Sequence, residues 1–229
     1  MLFAFPRQAA VARVIPKTKL YEHGGANTAL RGLFVDQVAK LTLTHVLTPD
    51  STNLPAAGGI DEIDVFRLDV HLPRAQDLDQ RVLRCCDRII PRPTFFEIHA
   101  ESGIQVMAQV KLPTPATPSP SPRVATAFST YQCSPVYALD TPRKPLPLVT
   151  SLLALYERLL ESLLGLERRA QETLTDTVRR RHELTQLDRS IAALRKRTND
   201  ERQFNRRVEL NAELRDLETQ RHAVLAPPR

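Results

Sequence analysis

Apolar and polar residues along the first half of the chain follow two different periods. From Asn27 to Lys40 apolar side chains recur every three or four residues, which is typical of a helix with one buried face. The same period covers Asp77–Ile89. Alternation of single residues over Leu41–Leu47 and Ile63–Leu72 predicts strands instead. Helices and strands are therefore interleaved in this part of the chain.

A hairpin follows the second helix. The segments Thr94–His99 and Ile104–Leu112 flank a short turn that contains Gly103. One more strand is predicted over Ala125–Gln132, and a short helical turn over Ala9–Val14. The order helix, strand, strand, helix, strand, strand, strand predicts an α+β fold, in which a small mixed sheet carries helices on one face.

The second half of the chain changes character at a proline-rich segment. Residues 113–123 hold five prolines in eleven positions, which predicts an exposed, extended loop. Beyond residue 146 the pattern is helical, and a heptad seam suited to a coiled coil begins with Leu152, Tyr156, Leu159, Leu163, Leu166 and Ala170. The sequence therefore predicts an α+β domain over 1–145, with its loop at 113–123, and long C-terminal helices over 146–226.

The C-terminal helices have two possible arrangements. The capping-box pattern Thr198-Asn199-Asp200-Glu201 favours a turn and an antiparallel helical hairpin. One continuous helix is the alternative, although it would leave its apolar seam in water unless a partner covered it. A homodimer held by the Leu152–Ala170 seam is a further possibility.

Composition narrows the choice of function. The net charge is +6 with a pI near 9.5, and both 1–150 and 151–229 hold 16 basic and 13 acidic residues, so each carries +3. This even spread permits nucleic-acid binding without pointing to it. Three cysteines and six histidines show neither a disulfide framework nor a metal-ligand spacing. We therefore expect a cytoplasmic protein with no metal site and no cofactor.

One catalytic alternative rests on acidic residues of the predicted strands. A magnesium-dependent nuclease of the restriction-endonuclease type places carboxylates and a lysine on neighbouring strands. Asp64, Glu97 and Lys111 come nearest to that pattern. The competing interpretation is that alternating acidic residues simply form a solvent-facing side of the sheet. We regard a non-enzymatic protein as the better interpretation and keep the nuclease as the alternative.

Two basic clusters lie on the predicted C-terminal helices. They consist of Arg179, Arg180 and Arg181, and of Arg195, Lys196 and Arg197. Such clusters can bind phosphates along a duplex. Solvated helix faces with acidic partners one turn away are an equally good explanation.

The stretch QFNRRVELNAEL, from Gln203 to Leu214, is unusual for a surface helix, because its aromatic and asparagine residues are poorer helix formers than Ala, Glu or Lys. Together with Phe5-Pro6, Ile15-Pro16-Lys17, Leu33-Phe34, Pro49-Asp50, Glu62-Ile63 and Ile90-Pro91-Arg92-Pro93, it resembles an uncharacterised bacterial family of small α+β proteins with a C-terminal coiled coil. Genes of that family lie beside helicase and DNA-methyltransferase genes in restriction-like phage-defence islands.

The resemblance implies a context rather than a reaction. It suggests an accessory subunit that works with a helicase or DNA methyltransferase on foreign DNA. In that context Phe204, Asn205, Val208 and Asn211 form a candidate docking face. This face would pack either against the α+β domain of the same chain or against a partner protein.

Overall fold

A computed structural model describes residues 1–113, 124–126 and 130–226 of the chain. The chain divides into two compact units, Met1–Gly165 and Leu166–Arg229. In chain order the first unit contains β1 (Phe3–Ala4), β2 (Ala10–Val14), α1 (Lys17–His23), α2 (Thr28–Gln37), β3 (Val38–Leu47), α3 (Pro49–Thr52), β4 (Ile63–Val70), α4 (Gln80–Ile89), β5 (Thr94–Ala100), β6 (Gly103–Ala108), β7 (Lys111–Pro113), β8 (Val124–Thr126), β9 (Gln132–Cys133), β10 (Lys144–Pro145) and α5 (Leu152–Leu164). The second unit contains α6 (Leu174–Asp200) and α7 (Phe204–Leu225).

The first unit is built on a six-stranded mixed sheet. Its strand order is β2-β3-β4-β5-β6-β9. Strands β4 and β5 are parallel, because α4 carries the chain back between them, and the other neighbours are antiparallel. The predicted mixed sheet with interleaved helices is thus confirmed.

One face of the sheet carries the larger core. Phe66 and Leu68 of β4 lie level with Phe96 and Ile98 of β5, and all four are buried. They belong to one apolar cluster with side chains of α4 and α2, among them Val82, Leu83, Cys86 and Phe34. The apolar residues that alternate along the strands and those that recur at helical spacing on α4 come together in this cluster, as the sequence pattern predicts.

The opposite face of the sheet is covered by α5, which corrects the prediction of helices on one face. The ring of Phe95, on this second face, meets the ring of Tyr156 edge-on with centroids 6.0 Å apart. Leu159 and Leu163 of α5 lie near Val65 in the same layer. Helices therefore pack against both faces of the sheet.

The placement of α5 also corrects the predicted seam. Leu152, Tyr156, Leu159 and Leu163 are buried within the first unit, and α5 ends at Leu164 before a left-handed Gly165. The first four seam residues thus serve the core of this chain and cannot also hold a homodimer. The boundary between the compact units lies at Gly165, whereas residue 145 was predicted.

Several local expectations can be compared with the elements. Asn27 caps α2 by accepting a hydrogen bond of 2.9 Å from the Leu30 amide. The helical turn predicted over Ala9–Val14 is wrong, since β2 occupies most of that segment. The strand predicted over Ala125–Gln132 is replaced by the separate β8 and β9. Beyond Pro113, the predicted loop lies outside the described residues.

The second unit is a helical hairpin, as predicted. Helices α6 and α7 are joined by residues 201–203 and run antiparallel, because Arg195 pairs with Glu218 and Arg221 with Asp188, both at 2.6 Å. The turn lies beyond Thr198, which is buried inside α6 and caps nothing. Within the described residues, no helix has the length and apolar character that crossing a membrane would require.

The outer strand β2 provides a first test of the fold. Ala12 has a φ of 52° at an irregularity in the pairing with β3, a conformation that costs a residue with a Cβ about 1 kcal/mol. Ala12→Gly should therefore raise the free energy of unfolding by up to about 1 kcal/mol in urea denaturation.

Ala10→Gly is the matched control, because Ala10 lies two residues away with a φ of −72°. It should lower the free energy of unfolding by about 0.5–1 kcal/mol. A shift in the same direction for both variants would contradict the strain at Ala12.

Candidate functional site

Asp64 occupies β4 on the face of the sheet that packs against α4. Its side chain lies on the same side as Phe66 and Leu68, and the residue is only 4% exposed. Its Oδ1 atom is buried without a hydrogen-bond partner. Burial, together with the nearby charge of Glu62, raises the pKa of Asp64 to about 7, against a smaller opposing effect of Arg92. Asp64 is thus an acid that holds a proton close to neutral pH.

Lys111, the first residue of β7, lies buried near the same face. Its ammonium pairs with Asp87 of α4 at 2.8 Å, and both side chains are almost fully enclosed. It also donates hydrogen bonds to the carbonyl oxygens of Ile90 and Arg92, at 2.9 and 2.7 Å, and to Thr94 Oγ1 at 3.3 Å. All the donor hydrogens of the ammonium are thereby engaged within the protein.

Asp87 and the backbone of Lys111 extend this buried network. The hydroxyl of Tyr131 donates to Asp87 Oδ2, and burial, with the charge of Asp87, raises the pKa of Tyr131. The Lys111 amide donates to the hydroxyl of Tyr156 in α5 at 2.7 Å. Lys111 therefore links α4, the start of β5 and α5, which is a structural role.

Glu97 of β5 lies on the opposite face of the sheet. The Arg143 guanidinium binds both of its carboxylate oxygens, at 2.7 and 2.6 Å. Burial favours a higher pKa for Glu97, but hydrogen bonds from Arg143, with a contribution from His99, outweigh it and hold the pKa at about 2. Arg143 also donates to the Phe3 carbonyl oxygen at 2.9 Å, which ties β1 to this face.

The structure does not bring Asp64, Glu97 and Lys111 into one site. Strand register places Asp64 beside Thr94, three residues from Glu97, and an odd number of residues along a strand reverses the face. Asp64 and Lys111 thus share one face, while Glu97 lies on the other. Across the part of the chain that the structure describes, no three acidic, histidine or cysteine side chains are grouped to hold a metal ion.

Two histidines accompany Glu97 on its face. Nε2 of His99 lies 3.7 Å from Glu97 Oε2, beyond hydrogen-bond length, and Nδ1 of His45 has no partner. Burial lowers the pKa of His45. A cavity of about 20 Å³ adjoins Glu97 and is otherwise lined mainly by apolar side chains, including Phe3, Phe5 and Phe95. It has room for about one water molecule, not for an organic substrate.

The two basic clusters of α6 differ in how their charges are used. Arg180 is buried and binds both carboxylate oxygens of Glu172 at 2.8 Å, while Arg179 pairs with Asp176 at 2.8 Å. Arg195 is engaged with Glu218. Arg181 is partly exposed, and Lys196 and Arg197 are exposed. Since 16 residues correspond to a rotation of about 160° on an α-helix, corresponding residues of the two clusters lie on nearly opposite sides of α6, whereas Arg181 and Lys196 lie only about 60° apart.

The first turns of α7 carry the candidate docking residues. Phe204, its first residue, is 70% exposed, and Val208, one turn later, is 49% exposed. Asn205 is exposed and Asn211 is half-buried. By contrast Leu210, on the side of α7 that faces α6, is only 2% exposed. The outward apolar pair is therefore separate from the seam of the hairpin.

Fold and surface define a class of protein: a mixed-sheet unit followed by a helical hairpin with an outward apolar pair. Residues 3–220 match a family described as a domain of unknown function, DUF4391, and the chain belongs to that family. The match includes both units, so the hairpin is part of the family's domain. No curated protein and no solved structure matches the chain.

The sequence pattern does not single out Asp87, Tyr131 and Arg143. Each acts through a partner 24 or more positions away along the chain, such as Arg143 with Glu97 and Tyr131 with Asp87. Local periodicity contains no signal for such pairs. The available hint is that Lys111 and Asp87 are charged residues within largely apolar stretches, because buried charges need partners.

The buried network around Lys111 predicts strong coupling. Lys111→Met should lower the free energy of unfolding by about 3–5 kcal/mol, because it leaves the Asp87 carboxylate buried without its counterion. The double variant Lys111→Met/Asp87→Leu should lose less than the sum of the two single variants. Chemical denaturation of all three variants measures the coupling.

Lys40→Met removes the same charge from an exposed position of β3 and should change the free energy of unfolding by no more than about 0.5 kcal/mol. Additive losses in the double variant would show that Lys111 and Asp87 act independently.

The raised pKa of Asp64 predicts how stability depends on pH. The folded-state pKa of Asp64, about 7, exceeds the ordinary value of 3.8. The contribution of Asp64 to the free energy of unfolding is therefore fully present below pH 3.8 and is lost as the pH rises through 7. Asp64→Asn should gain stability relative to the parent across that interval. Thermal unfolding at a series of pH values gives the comparison.

Asp69→Asn is a suitable control, since Asp69 lies on the same strand, is partly exposed and pairs with Arg67. A parent-to-variant difference for Asp64→Asn that stays constant from pH 4 to pH 8 would be incompatible with titration of Asp64.

Proposed function

We propose that the protein is a non-enzymatic accessory subunit of a bacterial anti-phage, restriction-like complex, in which its C-terminal hairpin docks onto a helicase or DNA methyltransferase. The observation that carries the docking role is the outward exposure of Phe204 and Val208 at the start of α7. The partner class follows from the resemblance to proteins encoded beside helicase and methyltransferase genes.

The exposed pair has the properties of an interface anchor. Burying a phenylalanine or valine side chain contributes about 1.5–3 kcal/mol, and aromatic residues are enriched among residues that dominate binding energy. Asn205 and Asn211 lie within two turns and offer amide donors and acceptors beside the apolar pair. A partner that covers this region thus gains both apolar contact and hydrogen bonds.

In this proposal the partner provides most of the contact with DNA. Arg179, Arg180 and Arg195 are paired with carboxylates within the hairpin. Arg181, Lys196 and Arg197 are the remaining basic residues of the two clusters, and they do not share one line along α6, since Arg181 and Arg197 lie about 160° apart around its axis. A few contacts from these residues would supplement a helicase or methyltransferase on DNA rather than replace its binding surface.

Co-purification from the native host tests the proposal. The tagged parent should retain a helicase or DNA methyltransferase in stoichiometric amount, identified by mass spectrometry. The variant Phe204→Asp/Val208→Asp should retain at least about tenfold less of it, because two charges would enter an apolar contact. Circular dichroism should show unchanged helix content, since both side chains lie outside the seam.

Leu148→Asp is the matched control, because it places the same charge at a fully exposed apolar residue of the first unit and should leave the complex intact. Retention of the partner by the Phe204→Asp/Val208→Asp variant would refute docking through α7. A parent protein that purifies without a helicase or methyltransferase would refute the assigned partner.

A further inference from the structure

The apolar pair belongs to a longer stripe along α7. At about 100° of rotation per residue, Phe204, Arg207, Val208, Asn211 and Arg215 all lie within roughly 60° of one line along the helix. All but the half-buried Asn211 are exposed. The stripe extends over about 16 Å at a rise of about 1.5 Å per residue. We call these five residues the α7 stripe.

Acidic residues are segregated from the α7 stripe. Between Phe204 and Arg215 the acidic residues are Glu209 and Glu213, which lie about 140° and 180° around the axis from the centre of the stripe. Glu209 is already paired with Arg206 at 2.6 Å. The stripe itself therefore combines two apolar residues, one amide and two positive charges, without a carboxylate.

Two ion pairs join the helices in the remainder of the hairpin. Farther from the turn, Arg195 pairs with Glu218 and Arg221 with Asp188 across the two helices. These pairs line a surface groove together with Ile191, Ala192 and His222. The next carboxylate on this side of α7, Glu218, lies about 60° around the axis from Arg215 and is already paired with Arg195, so Arg207 and Arg215 leave positive charge next to the exposed apolar pair.

We propose that the α7 stripe binds a protein groove with an apolar floor and carboxylates on its rim. This inference rests on the proposed docking function and adds the chemistry of the partner surface. The apolar floor accommodates Phe204 and Val208 as successive anchors of an amphipathic helix, and the rim carboxylates complement Arg207 and Arg215. A DNA backbone matches less well, since it offers phosphates to the two arginines but no apolar pocket to Val208.

Site-specific photocrosslinking of the full chain in the native host tests this inference. A benzoylphenylalanine at position 212, an exposed alanine beside the stripe, should crosslink to another protein at a peptide with apolar residues flanked by Asp or Glu. The same probe at position 213, on the acidic side, should give at least about tenfold less product, since it points away from the groove.

Charge variants complete the test. Arg207→Glu/Arg215→Glu should lower the crosslink yield at position 212 by more than about tenfold, because like charges would oppose each other across the contact. Glu213→Gln, a charge change about 180° around α7 from the centre of the stripe, should leave the yield unchanged. Crosslinks to DNA, to a second copy of this chain or to a site without carboxylates would each overturn the inference, as would the absence of any product.

The outcomes separate this inference from the proposed function. A crosslink to a helicase or methyltransferase at a site without carboxylates would retain the proposed function and refute the acidic groove. A crosslink to a carboxylate-rimmed groove on a different protein would retain the groove and refute the assigned partner.

Discussion

The ion pair between Lys111 and Asp87 is the interaction on which the first unit depends most. A lysine ammonium enclosed by protein is tolerated only when its charge and its donors are satisfied, and here α4 supplies the carboxylate while the Ile90–Thr94 segment supplies three oxygens. The same residue's amide anchors Tyr156 of α5. Helices on opposite faces of the sheet are thus positioned by one residue. This network accounts for Lys111 without a catalytic role.

A second buried ion pair organises the other face. Glu97 and Arg143 join the middle of β5 to the segment before β10, and Arg143 extends the connection to β1 through Phe3. The low pKa of Glu97 means that this pair persists at any pH at which the protein is expected to work. The acidic residues of the strands are therefore divided between two faces, and each meets a different environment. Asp64 holds its proton near neutrality, whereas Glu97 is a permanent anion.

The sequence pattern predicted those features that depend on near neighbours. Alternation located β3 and β4, the hairpin turn located β5 and β6, and helical spacing located α2 and α4, while the capping-box pattern at Thr198 favoured the hairpin over one continuous helix. The pattern failed where two structures share one signal. Leucines from Leu152 to Leu163 suit a coiled-coil seam and a helix buried on a sheet equally well, and only the tertiary contact of Tyr156 with Phe95 distinguishes them. Partners such as Arg143 and Tyr131 depend on the folded topology, which periodicity does not encode.

The unusual composition of α7 follows from two separate demands on one helix. Leu210, Leu214 and Leu217 repeat at spacings of four and three and form the side of α7 that packs against α6. Phe204 and Val208 lie outside that repeat and remain in water, where they contribute nothing to the seam. These two residues, together with Asn205 and Asn211, also lower the helix propensity relative to Ala or Lys. Helix formation and hairpin packing therefore leave these residues unexplained, whereas the proposed contact with another protein surface would give each of them a partner.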